Sequence, residues 1–356
     1  YFEDLFLSAP ANNLELNEAN SLQSAKYPLG FAQCANCDHI QLSFEVEADC
    51  LFSEYNYQTS VSTSFQEHFK SLAIHLDEMH SNISNSSSTK RILDIGSNDG
   101  YLLDCFSKKN WETFGVEPAK NLITKEMSSS HTIYNCFFNE STSTTILNNI
   151  GKFPIITANN VFAHTRKLGS FLKGIFNILE DDGVFVFEVQ YLRPLIEECL
   201  FDMIYHEHTS YHHIHPLLTV LPTYGLYIID IEKIDTHGGS IRVYCSKNKT
   251  QSIANNITQF IADEAGYTGS SLTRRIKSFN QQVKRKLEAI GNEIIAISKN
   301  GYRVFGYTAP AKATTLISGL PNEARECIEF IIDDAPFKAN KYIPGTNIEV
   351  INSDSF

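Results

Sequence analysis

The chain has 356 residues, enough for two or three domains, and its 42% hydrophobic and 20% charged residues are typical of a soluble globular protein. Its formal net charge of -12 opposes binding to a phosphate backbone, so we expect no nucleic-acid ligand. No apolar run approaches the roughly 20 residues that cross a bilayer, and we expect no membrane segment.

The cysteine usage indicates a reducing compartment. Of the 8 cysteines only Cys34 and Cys37 are close together in the sequence, which is unlike a disulfide scaffold. The stretch from Tyr1 to Ser8 has two acidic residues and no basic ones, unlike a secretory signal peptide. We therefore expect a cytoplasmic protein, and a monomer or weak homo-oligomer.

A linker or surface loop is predicted from Ser81 to Thr89, which is polar and has no hydrophobic periodicity. The cysteine pair precedes it, and the most regular part of the sequence follows it. We predict three domains: a small N-terminal zinc-type and substrate domain (1–80), a cofactor-binding domain (81–250) and a second α/β domain (251–356).

From residue 91 onwards, short apolar runs alternate with longer amphipathic ones, which predicts parallel βαβ units in a doubly wound sheet. The last two runs flank a Gly-Gly turn and predict an antiparallel pair that closes the sheet. The predicted strands are Arg91–Ile95, Thr113–Val116, Thr132–Asn135, Ile155–Ala158, Val184–Val189, Leu226–Ile234 and Ser240–Cys245. This layout is typical of class I, Rossmann-like methyltransferases.

The C-terminal part begins with two predicted helices, Ile253–Ala265 and Leu272–Ile297. A strand–loop–helix–strand unit follows, with strands at Arg303–Tyr307 and Ile328–Asp333 and a helix from Ala311. This pattern is typical of a small Rossmann-like α/β domain. It has too few strands to be complete, so we expect a further C-terminal piece.

A glycine-rich turn, Asp94-Ile95-Gly96-Ser97-Asn98-Asp99-Gly100, follows the first strand of the central domain. Its glycines permit a tight turn and the close approach of a ligand, and Glu117 follows about 20 residues later, as a ribose-binding acid does. The spacing differs from G-x-G-x-x-G, which disfavours a dinucleotide and favours S-adenosylmethionine. The alternative is a plain βα turn with a helix cap. The predicted cofactor contacts here are Asp94, Gly96, Ser97, Asn98, Gly100 and Glu117.

Histidines are concentrated in a second motif. Tyr205-His206-Glu207-His208 is followed by Tyr211, His212, His213 and His215. The run lies between the last parallel strand and the closing pair, so we expect it near the carboxyl edge of the sheet, where ligands bind. We favour catalytic or substrate contacts over a surface loop or a metal site. Neighbouring histidines do not share one helical face as i, i+4 histidines do.

Polar residues also occur after two other strands. Asn159, Asn160 and His164 follow the fourth strand, where we expect cofactor or pocket contacts, although asparagine is also a common helix cap. His237 and Arg242 flank the closing turn. A substrate-binding role is one interpretation of this pair, and an ordinary hairpin is the other.

Cys34 and Cys37 form half of a zinc site, because a structural zinc ion needs four ligands, usually from two such pairs. The sequence has no second pair, and the spacing of Cys50 and His39 is unsuitable. Two unpaired thiols are one interpretation, and a zinc site whose other half precedes Tyr1 is the other.

Together these motifs resemble those of the sugar C-methyltransferases, a family that acts on nucleotide-activated keto-deoxyhexoses. The resemblance extends from about Pro10 to Thr346, and its most specific parts are Tyr205–His208 and the loop Ala309–Lys312. Further matching stretches are Pro28-Leu29, Cys34–Gln41, Glu54–Tyr57, Asp94–Gly100, Gly115–Ala119, Asn159–His164, Ile204–Tyr211, His237–Val243, Gly306–Leu316 and Pro344–Thr346.

The resemblance implies three parts: a zinc-bearing N-terminal domain, an S-adenosylmethionine-dependent methyltransferase domain and a Rossmann-like C-terminal domain that helps to hold the nucleotide sugar. It implies that His208 is the catalytic base, with Glu207 and Tyr205 beside it. It also implies that His164 and Tyr57 line the pocket.

Two further assignments concern the outer domains. The resemblance implies that Cys34 and Cys37 are the family's second zinc pair. We also expect Lys312, at a helix start, and Lys338 to bind the substrate diphosphate, since helix N-termini and lysines attract phosphate. The alternative is that Pro310 merely starts the helix and Lys312 is solvated.

The sequence departs from the family pattern in three respects. The first zinc pair and the usual C-terminal end are absent, which puts metal loading and stability in question. Thr308, Ala313 and Thr314 stand where the family more often has Gly, Gly and Asn. This difference bears on the identity of the nucleotide or sugar.

The predicted function is methylation of a carbon of a nucleotide-linked keto-deoxysugar. A carbon beside a ketone becomes nucleophilic once a base such as His208 removes its proton, and Tyr205 is suited to stabilise the enolate oxygen. The alternatives are an O- or N-methyltransferase, which needs no enolising base, a nicotinamide-dependent oxidoreductase and a catalytically inactive binding protein.

Overall fold

The computed structural model describes residues 1–52, 55, 58–83, 89–236, 238–249 and 256–355. The strands in these residues are β1 (Phe6–Ser8), β2 (Tyr27–Leu29), β3 (Phe31–Gln33), β4 (Ile40–Leu42), β5 (Arg91–Ile95), β6 (Glu112–Val116), β7 (Thr132–Tyr134), β8 (Phe153–Asn159), β9 (Leu179–Gln190), β10 (Ser210–Tyr211), β11 (Tyr227–Ile234), β12 (Ser240–Ser246), β13 (Val304–Tyr307), β14 (Ile328–Asp333), β15 (Lys341–Tyr342) and β16 (Glu349–Asn352). The α-helices are α1 (Glu18–Leu22), α2 (Ala48–Phe52), α3 (Thr63–Ile83), α4 (Tyr101–Ser107), α5 (Lys125–Ser130), α6 (Glu140–Asn149), α7 (Leu168–Ile178), α8 (Leu192–Glu197), α9 (Ile214–Val220), α10 (Asn256–Asp263), α11 (Gly269–Lys299), α12 (Ala311–Gly319) and α13 (Asn322–Glu326). None of the helices described here is long and apolar enough to cross a membrane.

The chain forms two compact units, neither of which is one continuous segment. The first unit comprises 1–47, 192–211 and 266–356, and the second comprises 48–191 and 212–265. These units differ from the three consecutive domains expected from the sequence. The expected border after residue 80 is absent because α3 packs its apolar face, including Leu72 and Leu76, against the strands that follow it.

The second unit is built on a seven-stranded sheet in the order β11-β12-β9-β8-β5-β6-β7. The strands from β9 to β7 in this order are parallel, while β12 pairs antiparallel with both β9 and β11. The predicted parallel core and the predicted closing pair are therefore both present. β5 and β8 are buried along almost their whole length, as strands covered on both faces are.

Helices supply the apolar cores on the two faces of this sheet. α3 and α4 contribute residues such as Leu72 and Phe106 to one core, and α6 and α7 contribute Ile146, Phe171 and Ile175 to the other. Because the central strands are parallel, their carboxyl ends and the loops that follow them meet at one edge of the sheet. We call this edge the cofactor edge, because the cofactor contacts predicted from the sequence follow the strands that end there.

The first unit contains three smaller sheets, with the orders β1-β2, β10-β4-β3 and β13-β14-β16-β15. β13, β14 and β16 are parallel, and α12 connects the first two, so the predicted C-terminal α/β unit is present. α11 has 31 residues and buries Leu272, Ile276, Phe279, Val283 and Leu287 on one stripe.

Candidate active site

The turn after β5 has the backbone that its glycines predict. Gly96 has a φ of +70°, and a Cβ atom there would lie 2.3 Å from a methyl carbon of Val161. Gly100 has a φ of +83° and precedes the first residue of α4. Asn98, between them, also has a left-handed backbone, with a φ of 52°. The left-handed backbone at both positions, and the closeness of Val161 to Gly96, therefore favour glycine at both ends of the turn.

Glu117 holds this turn from the end of β6. Its side chain is buried, and its two carboxylate oxygens accept the backbone N–H groups of Asn98 and Ala119, each at 2.8 Å. Burial raises the pKa of Glu117, and these two hydrogen bonds partly oppose the shift. Each carboxylate oxygen retains a second lone pair, so Glu117 can still accept a hydrogen bond from a hydroxyl group, as a ribose-binding acid does.

Asp94 lies beneath the turn as a fully buried carboxyl group. Burial raises its pKa to about 7, and the charge of Glu117 adds to this shift. The hydroxyl group of Thr157 donates a hydrogen bond to the Oδ1 atom of Asp94 at 2.7 Å and partly opposes the shift. Asp94 is therefore poised between its neutral and charged forms near neutral pH.

Three side chains near the turn have polar atoms that are shielded from solvent and have no hydrogen-bond partner in the described part of the chain. They are the hydroxyl group of Ser97, one carboxylate oxygen of Asp99, and both the oxygen and the nitrogen of the Asn159 amide. Buried polar groups normally have partners. The three side chains fit S-adenosylmethionine, whose ammonium, carboxylate and hydroxyl groups supply both donors and acceptors.

Asn160 and His164 lie in the loop after β8. The backbone N–H of Asn160 donates to the carbonyl oxygen of Glu188 at 2.8 Å, and its φ is 55°. His164 ends a short 3₁₀ turn, and its ring stacks on Phe52 with 5.4 Å between the centroids. Both residues therefore lie in the loop at the carboxyl end of β8, and their contacts with a cofactor stay a prediction.

A buried charge cluster surrounds Glu188, near the carboxyl end of β9. Its carboxylate contacts His68 at 2.8 Å, Arg242 at 3.1 Å and the hydroxyl group of Thr236 at 2.9 Å. Burial raises the pKa of Glu188, but the hydrogen bond and charge of His68 and the charge of Arg242 outweigh this effect and lower it overall. Arg242 also contacts Glu232 at 3.2 Å.

Two carboxylates, those of Glu188 and Glu232, already hold the guanidinium group of Arg242. This arrangement favours a structural role for Arg242 over the predicted substrate-binding role. Sequence reasoning missed His68 and Glu188. An acidic residue at the end of an otherwise apolar strand was the available signal for Glu188. The sequence contains no such signal for His68, because its contacts depend on how α3 packs on the sheet.

The Tyr205–His208 run lies in the first unit. Glu207 is buried, and its Oε1 atom accepts the side-chain amide of Asn12 at 2.6 Å. The rings of Tyr205 and His208 are 4.2 Å apart between centroids. Tyr205 and His208 are therefore close together, and Asn12, which sequence reasoning missed, helps to orient Glu207.

The tautomer of His208 follows from its partner. Its Nδ1 atom lies 3.0 Å from the carbonyl oxygen of Met203. A carbonyl oxygen only accepts, so Nδ1 carries the proton, and Nε2 is the basic nitrogen of the neutral ring. His206 differs: it is fully buried, and desolvation lowers its pKa to about 4, so its ring stays neutral within the fold.

The two predicted phosphate-binding lysines differ in their surroundings. Lys312 is half exposed in the first turn of α12, and its ammonium group lies 3.8 Å from Asp202. Lys338 contacts Asp333 at 2.9 Å and the carbonyl oxygen of Ala309 at 3.0 Å. Lys338 therefore holds the loop before α12, which leaves Lys312 the more accessible cation.

Cys34 and Cys37 lie in a turn closed by hydrogen bonds from Cys34 N–H to the carbonyl oxygen of His39 and from Asp38 N–H to that of Cys34. Backbone N–H groups of Asn36 and Cys37 lower the pKa of the Cys34 thiol. The described residues contain no group of three or more His, Cys, Asp or Glu side chains arranged to hold a metal ion. The described residues therefore do not form the predicted zinc site.

The predicted site residues are divided between the units. The cofactor residues, His164 and Arg242 belong to the second unit. The first unit contains Tyr205, Glu207, His208, Lys312, Lys338, Cys34 and Cys37. Tyr57 and His237 lie outside the described residues.

Two family profiles match this chain in adjacent segments. The profile described as a methyltransferase domain matches residues 61–231, and the one described as a C-methyltransferase C-terminal domain matches residues 235–356. The first match covers α3 and most of the seven-stranded sheet and confirms the predicted class I fold. A curated relative, C-methyltransferase NovU of Streptomyces niveus, is 28% identical over 349 residues, which are 97% of this chain and 81% of the relative.

Solved methyltransferase structures are also similar to part of the chain. An S-adenosylmethionine-dependent methyltransferase from Clostridium acetobutylicum ATCC 824 has 15% identity and a TM-score of 0.40, over 50% of this chain and 91% of that one. A magnesium protoporphyrin IX methyltransferase from Synechocystis PCC 6803, with bound S-adenosylhomocysteine, has 12% identity and a TM-score of 0.38, over 54% of this chain and 87% of that one.

Proposed function

We propose that this chain, which belongs to the sugar C-methyltransferase family and is an S-adenosylmethionine-dependent methyltransferase, methylates a carbon of a nucleotide-linked keto-deoxysugar. The matched profiles and the curated relative set aside the nicotinamide-dependent oxidoreductase. Transfer to carbon, rather than to oxygen or nitrogen, requires a base that enolises the substrate. Residues that can supply such a base therefore support methyl transfer to carbon.

The observation that carries the proposal is the tautomer of the His208 ring. The carbonyl oxygen of Met203 holds the proton on Nδ1, which leaves Nε2 as the basic nitrogen. Glu207, which accepts a hydrogen bond from Asn12, immediately precedes His208 in the sequence, and the ring of Tyr205 lies 4.2 Å from that of His208 between centroids. A histidine fixed in this tautomer is suited to remove a proton from carbon.

In the proposed mechanism His208 removes the proton from the carbon beside the ketone, and Tyr205 donates a hydrogen bond to the enolate oxygen that develops. Glu207 stabilises the imidazolium form of His208 electrostatically. When bound, S-adenosylmethionine supplies an electrophilic methyl group. Ser97, Asp99 and Asn159 would hold its polar groups, and Glu117 would accept hydrogen bonds from its ribose hydroxyl groups.

A nucleotide-linked substrate is supported by the C-terminal part of the first unit. The chain is acidic overall, with a net charge of -12, yet Lys312 is an accessible cation in the first turn of α12. Backbone N–H groups at a helix start and a lysine together attract a diphosphate. We propose that Lys312 binds the diphosphate, while Lys338 keeps the loop before α12 in place.

The test of the proposed base is His208→Ala in the full chain. We expect loss of the exchange of the substrate's α-proton with solvent deuterium, because the substitution removes the proposed base. Binding of S-adenosylhomocysteine, measured by calorimetry, should stay at the parent level. The measurements are NMR of the recovered substrate and the binding isotherm.

His75→Ala is the matched control, because it removes an exposed histidine of α3. This variant should exchange the α-proton as the parent does. Exchange at the parent rate in His208→Ala would assign the base to another residue, with His164 the next candidate. A parent that never exchanges the proton would contradict an enolate mechanism altogether.

A further inference from the structure

The residues before α3 contact the loop that follows β6. The described residues of this segment are Ala48–Phe52, Tyr55 and 58–61, and we call them the strap. The side chain of Asn121 makes two hydrogen bonds to the backbone of Tyr55. Its oxygen accepts the N–H at 3.0 Å, and its amide donates to the carbonyl oxygen at 2.7 Å. Asn121 thereby pairs with the strap much as a neighbouring β-strand would.

The strap also holds the turn after β5. The N–H of Thr59 donates to the side-chain oxygen of Asn98 at 3.0 Å, and the N–H of Ser60 donates to Asp99 at 2.9 Å. Both acceptors are adjacent residues of the glycine-rich turn. The hydrogen bond from Ser60 uses one carboxylate oxygen of Asp99 and leaves the other without a partner among the described residues.

A third contact joins the strap to the loop after β8. Phe52 stacks on His164, with the rings tilted by 19° and their centroids 5.4 Å apart. β8, β5 and β6 are neighbours in the sheet. The strap therefore joins the loops that follow three adjacent strands, and it crosses the part of the edge where open α/β sheets bind their ligands.

We propose that Asn121 and Phe52 are positioning residues that hold the strap across the cofactor edge, and that the strap fixes Asn98, Asp99 and His164 for the bound cofactor. This inference rests on the proposed placement of S-adenosylmethionine at this edge. Release of the cofactor product then requires the strap to detach from at least one of the three loops. Asn121 and Phe52 should accordingly control how fast S-adenosylhomocysteine dissociates.

The test is Asn121→Ala in the full chain, with Asn149→Ala, an exposed asparagine of α6, as the control. Loss of two exposed hydrogen bonds should speed dissociation of S-adenosylhomocysteine about fivefold, as measured by stopped-flow displacement, with an unchanged melting temperature. Phe52→Ala should act in the same direction. Phe52→Tyr keeps the stacked ring and should restore the parent rate.

A second readout needs no cofactor. Hydrogen exchange of the amides of Tyr55, Thr59 and Ser60 should be faster in Asn121→Ala than in Asn149→Ala, in the absence of any ligand. Faster exchange with a parent rate of dissociation would overturn the inference and leave the strap purely structural. If the parent binds no S-adenosylhomocysteine, the proposed cofactor placement fails instead, and faster exchange would then support only the contacts of the strap.

Discussion

Asp94, near the end of β5, shows how one buried residue makes the stability of the fold depend on pH. Its pKa is raised to about 7, chiefly by burial, from an ordinary value of 3.8. A carboxyl group whose pKa is higher in the folded state than in the unfolded chain binds more protons when folded. Its contribution to stability therefore falls as the pH rises from about 4 to about 7.

Asp94→Asn should remove this dependence, because the amide stays neutral and its oxygen can still accept from Thr157. We expect the free energy of unfolding of the variant, relative to the parent, to rise by roughly 4 kcal/mol between pH 4 and pH 8. Denaturant unfolding across this range is the measurement. Asp182→Asn, at an exposed position of β9, is the control, and parallel curves for parent and Asp94→Asn would contradict the prediction.

Residues of the site differ in how far the sequence alone identifies them. Glu117 was predictable because its position depends on local order: a glycine turn, a helix, and an acid at the end of the next strand. Asn12 and Asn121 were not, because each acts on a residue far away in the chain, Glu207 and Tyr55 respectively. Polar residues of this kind look like ordinary surface residues until tertiary structure is known.

At the scale of elements, Gly96 is the position where backbone and packing both exclude a side chain. Alanine there must adopt a φ of +70°, which costs about 1–2 kcal/mol, and its Cβ atom would lie 2.3 Å from Val161, which adds a clash. Gly96→Ala should therefore lower the free energy of unfolding and weaken binding of S-adenosylhomocysteine. Denaturant unfolding and calorimetry measure the two effects.

Gly301→Ala separates the two causes. Gly301 has a φ of +82°, but a Cβ atom there would have no neighbour within 4 Å. Gly301→Ala has the same backbone penalty without the clash, and position 301 lies outside the turn after β5. Equal destabilisation by the two substitutions would mean that Val161 moves aside at no cost, contrary to the packing described here.

Strands within the apolar alternation were the most predictable elements. β5 and β14 have the predicted bounds, and α12 begins at the predicted residue, Ala311. β9 begins at Leu179, earlier than the predicted Val184. The sequence predicted a later start because Asp-Asp-Gly, among the first residues of the strand, usually indicates a turn. The short strands β1 to β4 carry too few residues for a hydrophobic period to be recognised.

At the scale of the whole molecule, the class I sheet followed from the sequence and the division into units did not. Residues 192–211 belong to the first unit, although they lie between segments of the second. Their apolar side chains, such as Leu195 and Met203, share a core with Phe31 and α11. Hydrophobic patterning identifies elements that need burial but not the distant segment that buries them. Cytoplasmic location, a weak oligomeric state and zinc binding stay predictions.

The central claim is that this chain transfers a methyl group to a carbon atom of a nucleotide-linked keto-deoxysugar. The direct measurement is incubation with S-adenosylmethionine labelled with ¹³C at its methyl group and a panel of nucleotide keto-sugars, followed by NMR of the products. We expect a new ¹³C methyl signal coupled to a sugar carbon, and none in His208→Ala. A signal with the chemical shift of an O-methyl or N-methyl group, or no transfer to any sugar of the panel, would contradict it.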